Sequence, residues 1–385
     1  MVQKKQKILF LSVISFWFAQ YVYIPFQTPY LSSIKVSADW IGIIIGTYGI
    51  SQMLLRLPVG VLADSRNRHK QFIMIGGLSA AAASLFRVIL NNRTGFFIGN
   101  LLSGLASAMW ISFMVLYMSY YPAREQQKAT SRVILANNAG ILSGFIVSTL
   151  LYNLVGMQVI CLLSVVGGLL TMFLSFLLPK GEDKPCNLTI PQLLSVCGQK
   201  RLWLFSLFAL VQQGVQMSTT MSFTTQILKD LGADSLIVGG ASVVYMLSAV
   251  GCSKFASTKL CTKLSPGKWI SLTFAINALY CVLIPSSTSV LPILALQLLP
   301  GMSTGILFSF LTSQAMKQVP PEKKSTAMGL YQAVYALGMT LLPMLSGVLA
   351  QKVSMKGAYL CLAGICIVAS LSSMYYYRIQ SRSRK

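Results

Sequence analysis

Gln20, Tyr23 and Gln27 recur at i, i+3 and i+7 with Phe16 on the same stripe, so a helix through them shows two amides and a phenol on one face. Gln212, Gln216, Thr219 and Phe223 make a second stripe of the same kind. Such groups break no bonds by themselves; they give and take hydrogen bonds. Inside an apolar segment they are costly unless a wet cavity or a neighbouring helix satisfies them. A solute-binding cavity and interhelical hydrogen bonding both fit. Asn137 and Asn138 add amides to a further segment. Two arginines also lie within apolar stretches. Arg56, about a turn from the middle of its stretch, either grips an anionic solute or bonds to helix-end carbonyls at a gate. Arg87, near the end of its own stretch, reads as a side chain that snorkels to the headgroups.

Residues suited to catalysis are scarce. His69 is the single histidine, and the eight cysteines form no CxxC pair or metal-ligand cluster. Of the eight carboxylates, Asp39 and Asp64 stand at the two ends of the second apolar segment and the rest fall in connections. That inventory holds no nucleophile with its base, no paired aspartates and no His/Glu metal site, so no catalytic residue, metal or cofactor is expected. The Gly-x-x-x-x-Gly-Lys-[Ser/Thr] loop that would cradle ATP is missing as well. Proton coupling usually relies on a titratable group within the membrane, and no Asp or Glu stands near a segment centre; any coupling would use the boundary carboxylate Asp39 or the solute's own charge.

The elements that position these residues follow from composition. Of 385 residues, 55% are hydrophobic and 10% charged, with mean hydropathy +0.67; an ordinary soluble domain is roughly 25% charged. Twelve stretches reach the ~20 apolar residues needed to cross a bilayer, near 8–32, 40–63, 71–91, 94–120, 128–153, 156–178, 203–228, 235–258, 268–287, 289–317, 326–350 and 356–377. The first follows Lys4, Lys5 and Lys7 and reads as a membrane span, too long for a signal peptide. The fold class is thus an all-α membrane protein of 12 transmembrane helices.

The formal net charge is +23, but the basic residues lie in short clusters between apolar segments, which points away from nucleic acid. With the N-terminus inside, 24 of the 31 Lys and Arg fall on one face. Five (Lys35, Arg93, Lys229, Lys352 and Lys356) fall on the other, and Arg56 and Arg87 lie within helices. By the positive-inside rule both termini are cytoplasmic. The expected setting is the plasma (inner) membrane, with lipid as surrounding partner and a monomer as the working unit.

A shift of 197 residues aligns the chain on itself: Phe26 with Phe223, Thr28 with Thr225, Tyr48 with Tyr245, Ser51 with Ser248, Gly104 with Gly301. The expected organisation is a six-helix bundle at 1–178, a cytoplasmic linker at 179–202 carrying a short amphipathic piece, and a second bundle at 203–385. Repeats with the same topology place a solute site at the midplane between them, and rocking of the halves alternates access. The second helix carries Gly42, Gly46, Gly49, Gln52, Arg56 and Gly60 on one face, which suits tight packing against another helix, the eleventh. Pro25 and Pro29 in the first helix, Pro58 in the second, Pro300 in the tenth and Pro343 in the eleventh are candidate bend points.

Gly60 to Lys70, between the second and third helices, reads Gly-Val-Leu-Ala-Asp-Ser-Arg-Asn-Arg-His-Lys. It resembles the signature loop of the major facilitator superfamily, Gly-x-Leu-x-Asp-Arg-x-Gly-Arg-Arg. The resemblance implies two pseudo-symmetric six-helix bundles, with the first, fourth, seventh and tenth helices lining the cavity. It also implies a latch in which Asp64, Arg66 and Arg68 hold the halves together and Gly60 allows close backbone approach. Ser65 and Asn67 depart from the pattern, and the matching loop of the second half has Cys261 where an aspartate would stand.

The function implied is secondary transport of a small organic solute, leaning to export of an amphipathic or anionic compound, with Gln20, Tyr23, Gln27, Arg56, Asn137, Gln212, Gln216 and Thr219 as cavity candidates. Uptake of a nutrient or metabolite is the alternative, and a transporter-like sensor or scaffold without flux is a third reading.

Overall fold

With water removed, a chain satisfies its backbone hydrogen bonds within one segment only by forming a helix, and among the described residues the regular elements are all helical. The computed structural model describes the chain apart from residues 1, 67–68, 122–125, 179–188, 257–260, 321–322 and 383–385. Side chains are also left aside at 2–3, 63–66, 126–128, 130–131, 190, 262, 324–325 and 382.

Among the described residues ten helices are long and apolar enough to cross a bilayer, and an eleventh, Lys200–Asp230, follows a 72° bend from the short piece Pro191–Gly198. One of the ten, Arg132–Phe176, is 45 residues long, about 68 Å at 1.5 Å per residue and twice the hydrocarbon thickness. It is two spans. Gly156, with φ 71° and ψ 179°, breaks it in a conformation that favours glycine. Gly144 packs beside Phe18, and Ser164 Oγ donates to the Ala19 carbonyl, so both arms lie at the same level of the first helix. A straight helix would hold those positions about 30 Å apart.

The spans are therefore α1 (Lys4–Ser33), α2 (Ala38–Leu62), α3 (His69–Leu90), α4 (Arg93–Ser119), α5 (132–155), α6 (157–176), α7 (Lys200–Asp230), α8 (Ser235–Ala256), α9 (Pro266–Ser286), α10 (Val290–Met316), α11 (Thr326–Lys352) and α12 (Met355–Ser381). Large apolar side chains such as Leu54, Leu154, Phe173, Leu291 and Val368 stand exposed, as a lipid-facing surface requires.

The 197-residue repeat appears as duplicated packing. A Cβ on Gly104 would fall 2.8 Å from Ser51 Cβ, and one on Gly301 would fall 2.6 Å from the Tyr245 carbonyl oxygen and crowd Ser248. Tyr48 shares a hydrogen bond with Ser107 (2.7 Å), and Tyr245 shares one with Thr304 (3.0 Å). The α2–α4 contact is thus rebuilt as α8–α10 in the other half.

The halves meet chiefly along α2 and α11, which run antiparallel. A Cβ on Gly42 would fall 3.0 Å from Gly347 Cα, one on Gly46 2.7 Å from the Thr340 carbonyl oxygen, and one on Gly49 2.6 Å from the Ala336 carbonyl oxygen. Small residues let the backbones touch, and dispersion across that seam holds helices together where lipid offers no hydrophobic gain. At Gly60 the nearest atom among the described residues to an added Cβ is Ile111 Cδ1, at an ordinary 3.7 Å. The tight packing that the glycine face of α2 implied occurs along Gly42–Gly49.

Four helices are interrupted at matching heights. α1 stops at Tyr21 and restarts at Ile24 with Pro25 just inside, where its missing N–H costs nothing. α4 is broken at Met109. α7 and α10 carry π-helical turns at Thr219–Phe223 and Ser303–Leu307. Shifted by 197, positions 23 and 109 fall inside these two turns. Pro58 and Pro343 lie inside continuous helices.

Candidate functional site: a cavity between the halves

The interruptions of α1 and α7 border a small cavity lined by Gln20, Tyr21, Tyr23, Ile24 and Gln27 from α1, Ile45 and Tyr48 from α2, Asn100 from α4, and Met217 and Met221 from α7. Its volume is about 20 Å³, room for little more than one water. One wall is amide and phenol. The other is methionine, a side chain that adapts its shape readily.

The polar wall is a connected network. Gln20 Nε2 donates to the Ser103 carbonyl (2.9 Å) and to Ser107 Oγ (3.0 Å), and Ser107 in turn pairs with Tyr48. Asn100 Nδ2 donates to the Ile44 carbonyl at 2.8 Å. Gln27 is buried, and its Oε1 has no hydrogen-bond partner. A buried acceptor left alone is costly, and here it belongs to a residue of the cavity wall.

Of the sequence candidates, Gln20, Tyr23 and Gln27 therefore meet at one cavity. Gln212, Gln216 and Thr219 lie outside its lining, in a network of the second half. There Gln212 Nε2 donates to Gln216 Oε1 (3.2 Å), Gln216 Nε2 donates to the Tyr245 hydroxyl (2.6 Å), and Thr219 Oγ1 donates back to the Val215 carbonyl (2.8 Å). Asn137 is half-buried and does not line the cavity.

Arg56 sits elsewhere too. Its guanidinium is buried and donates across the seam to Gln332 Oε1 (2.5 Å) and the Tyr335 hydroxyl (2.6 Å) of α11, and within its own helix to Gln52. It clamps the halves without reaching the cavity lining. The latch residues Asp64 and Arg66 lie where no side chain is described, and Arg68 lies outside the described residues.

Arg87 overturns its sequence reading. It does not snorkel: it is 1% exposed, among the most buried large side chains of the chain. Nη2 donates to the Tyr23 hydroxyl (3.0 Å), Asn100 Oδ1 (2.8 Å) and Ser103 Oγ (2.8 Å), and Nη1 to Ser84 Oγ (3.0 Å). Its carbon lies 3.9 Å from the centre of the Tyr23 ring, a cation–π contact. The available signal was nonlocal: Asn100 and Ser103, at i and i+3 on α4, turn one polar face toward α3.

Bonds between the halves flank the cavity on two sides. On one side Thr28, next to the lining residue Gln27, shares a hydrogen bond with Ser222 between α1 and α7 (3.0 Å). On the other stands the Arg56 clamp, 14 residues or about 21 Å along α2 from Gly42. A cavity with one amide and phenol wall and one apolar wall, flanked by bonds between two similar membrane bundles, fits a membrane transporter.

Comparison with known proteins places that class. The family model described as Major Facilitator Superfamily matches residues 9–226 and 207–385, and the chain belongs to that family. An uncharacterised MFS-type transporter of Methanocaldococcus jannaschii is 24% identical over 370 residues, covering 92% of this chain and 93% of that protein. The inner membrane transport protein YajR of Escherichia coli is 28% identical over 123 residues, 31% of this chain and 26% of that one. Among solved structures, a point variant of the nucleoside transporter NupG matches with a TM-score of 0.76 and 16% identity over 97% of this chain and 99% of that one. A second NupG structure gives 0.74 and 17%, over 98% and 99%. The fold and family are those of transporters and not of enzymes.

Proposed function

We propose that the chain is a secondary transporter that carries a small organic solute through the cavity at Gln20, Tyr23, Gln27, Tyr48 and Asn100, with its halves rocking about the α2–α11 seam. The observation that carries this reading is the unpartnered Gln27 oxygen in an otherwise hydrogen-bonded wall flanked by bonds between the halves. The cargo proposed is an anionic or amphipathic organic compound, exported, with both chain termini in the cytoplasm of a plasma (inner) membrane and a monomer as the working unit. Charge supports the cargo class: two buried arginines and no described carboxylate near a span centre favour a solute that brings negative charge. The bundles at 1–178 and 203–385 move as units about the linker at 179–202, and Asp64, Arg66 and Arg68 latch one end of the interface.

The second reading is uptake of a neutral nucleoside. Tyrosines that can stack on a base, beside amides that can bond to it, line the cavity, and the nucleoside transporter NupG shares the fold. Counterflow in proteoliposomes against a panel of organic anions, amphipathic drugs and nucleosides separates the readings. Accumulation of anions or drugs supports the first, accumulation of nucleosides alone the second, and no flux for any solute the sensor reading.

A further inference from the structure

Arg87 is a buried cation held entirely by neutral groups. Among the described residues none of its contacts is a carboxylate; it rests on Tyr23, Ser84, Asn100 and Ser103. Its hydrogen bonds are also unevenly distributed. Nη2 has two protons facing three oxygens within 3.0 Å, while the Nε proton has no acceptor. A buried charge in such surroundings is costly unless it is paired, and yet the packing accommodates it. A Cβ on Gly99 would fall 2.8 Å from Arg87 Nε, so the bare Cα of that glycine admits the guanidinium.

Position turns this into a binding argument. Tyr23 and Asn100 each bond Arg87 and line the cavity, so the guanidinium lies one side chain behind the cavity wall. Tyr23 covers it with ring and hydroxyl together, and Tyr23 falls in the interruption of α1, between Tyr21 and Ile24. That is where α1 is least held by its own backbone bonds.

We infer that Arg87 is the anion-pairing residue of this transporter: an oxyanion on the solute displaces the Tyr23 hydroxyl and takes the guanidinium fork, while Gln27 receives a donor from the same solute. The inference rests on the transport reading and deepens it. Arg56, the cation that sequence singles out for this role, is engaged across the seam; Arg87 has a cover that can move. The planar fork suits carboxylate, sulfate or phosphate oxygens, which lysine meets only as a point charge.

The test uses the full chain in detergent, with benzoate and its neutral isostere benzamide as probes and inorganic phosphate as a third arm. Benzoate is expected to raise the melting temperature and benzamide not to; a shift with phosphate would extend the site to inorganic anions, and its absence would confine the site to organic ones. Tyr23→Phe frees one guanidinium donor and should lower the half-saturating benzoate concentration about fivefold. Arg87→Lys should raise it tenfold or more. Equal shifts with benzoate and benzamide, no shift with either, or an unchanged half-saturation in Arg87→Lys would overturn the assignment. Should that variant fail to fold, Tyr23→Phe decides, and an unchanged half-saturation there is equally fatal. Flux separates this from the broader reading: benzoate binding that depends on Arg87 without carriage of any solute sinks transport and keeps the subsite, whereas carriage of neutral solutes alone does the reverse.

Discussion

Replacing Arg56 with methionine removes a clamp while keeping the length of the side chain. The bond from Arg56 to Gln52 lies within α2 and survives any rigid movement of that helix, so it cancels between closed and open states. The bonds to Gln332 and Tyr335 cross the seam and must break when α2 and α11 part at this end. A hydrogen bond to a charged group contributes about 1.5 kcal/mol at the low end of its range, so two amount to about 3 kcal/mol. At 1.36 kcal/mol per decade that shifts the equilibrium toward opening by about a hundredfold. Gly329 reports it: it is buried, and a Cβ there would sit 3.6 Å from the Arg56 carbonyl oxygen, close enough to be shielded and far enough to be tolerated. With the native cysteines replaced by alanine and Gly329→Cys introduced, the rate of maleimide labelling follows the open population. Arg56→Met should raise that rate by about two orders of magnitude. An unchanged rate in a folded Arg56→Met variant would refute the clamp and the arithmetic with it.

Other expectations are as direct. Thr28→Cys with Ser222→Cys brings two thiols together where the hydroxyl oxygens stand 3.0 Å apart, near enough for a disulfide after small adjustment; oxidation should stop flux and reduction restore it, and full flux in the cross-linked protein would show that this end never opens. Asp64→Asn should reduce transport severalfold while leaving membrane insertion intact, which flux and surface labelling would read; undiminished flux would remove the latch. Because no carboxylate stands near the centre of a described span, substrate addition should drive little pH change in lightly buffered vesicles, and a robust alkalinisation would contradict this.

The sequence displays the spans and the glycine face of α2 openly, because each is written locally in runs and periods, and the repeat because its offset of 197 residues is constant. Gly42, Gly46 and Gly49 announce a backbone contact through their spacing alone, and α11 supplies the partner. Pro25 marks the break in α1, but Met109 breaks α4 with no comparable signal in its residue type. The amide stripe of α1 reaches the cavity as its period implies, whereas the stripe of α7 turns into a network around Tyr245. For the two arginines, the sequence left Arg56 between solute and gate and misplaced Arg87, for one shared reason. Distance from a helix end suggests whether a side chain can reach water, but the partners that decide the matter come from other helices: Gln332 lies 276 residues from Arg56, and Tyr23 64 residues from Arg87.

The central claim is that two rigid halves tilt about the cavity, opening one end as the other closes. Spin labels at Ser33 and Lys229, the exposed ends of α1 and α7, and separately at Ser119 and Lys317, the exposed ends of α4 and α10, report the two mouths. On addition of a transported solute, one distance should lengthen while the other shortens. Two distances that stay fixed, or that grow together, would contradict it.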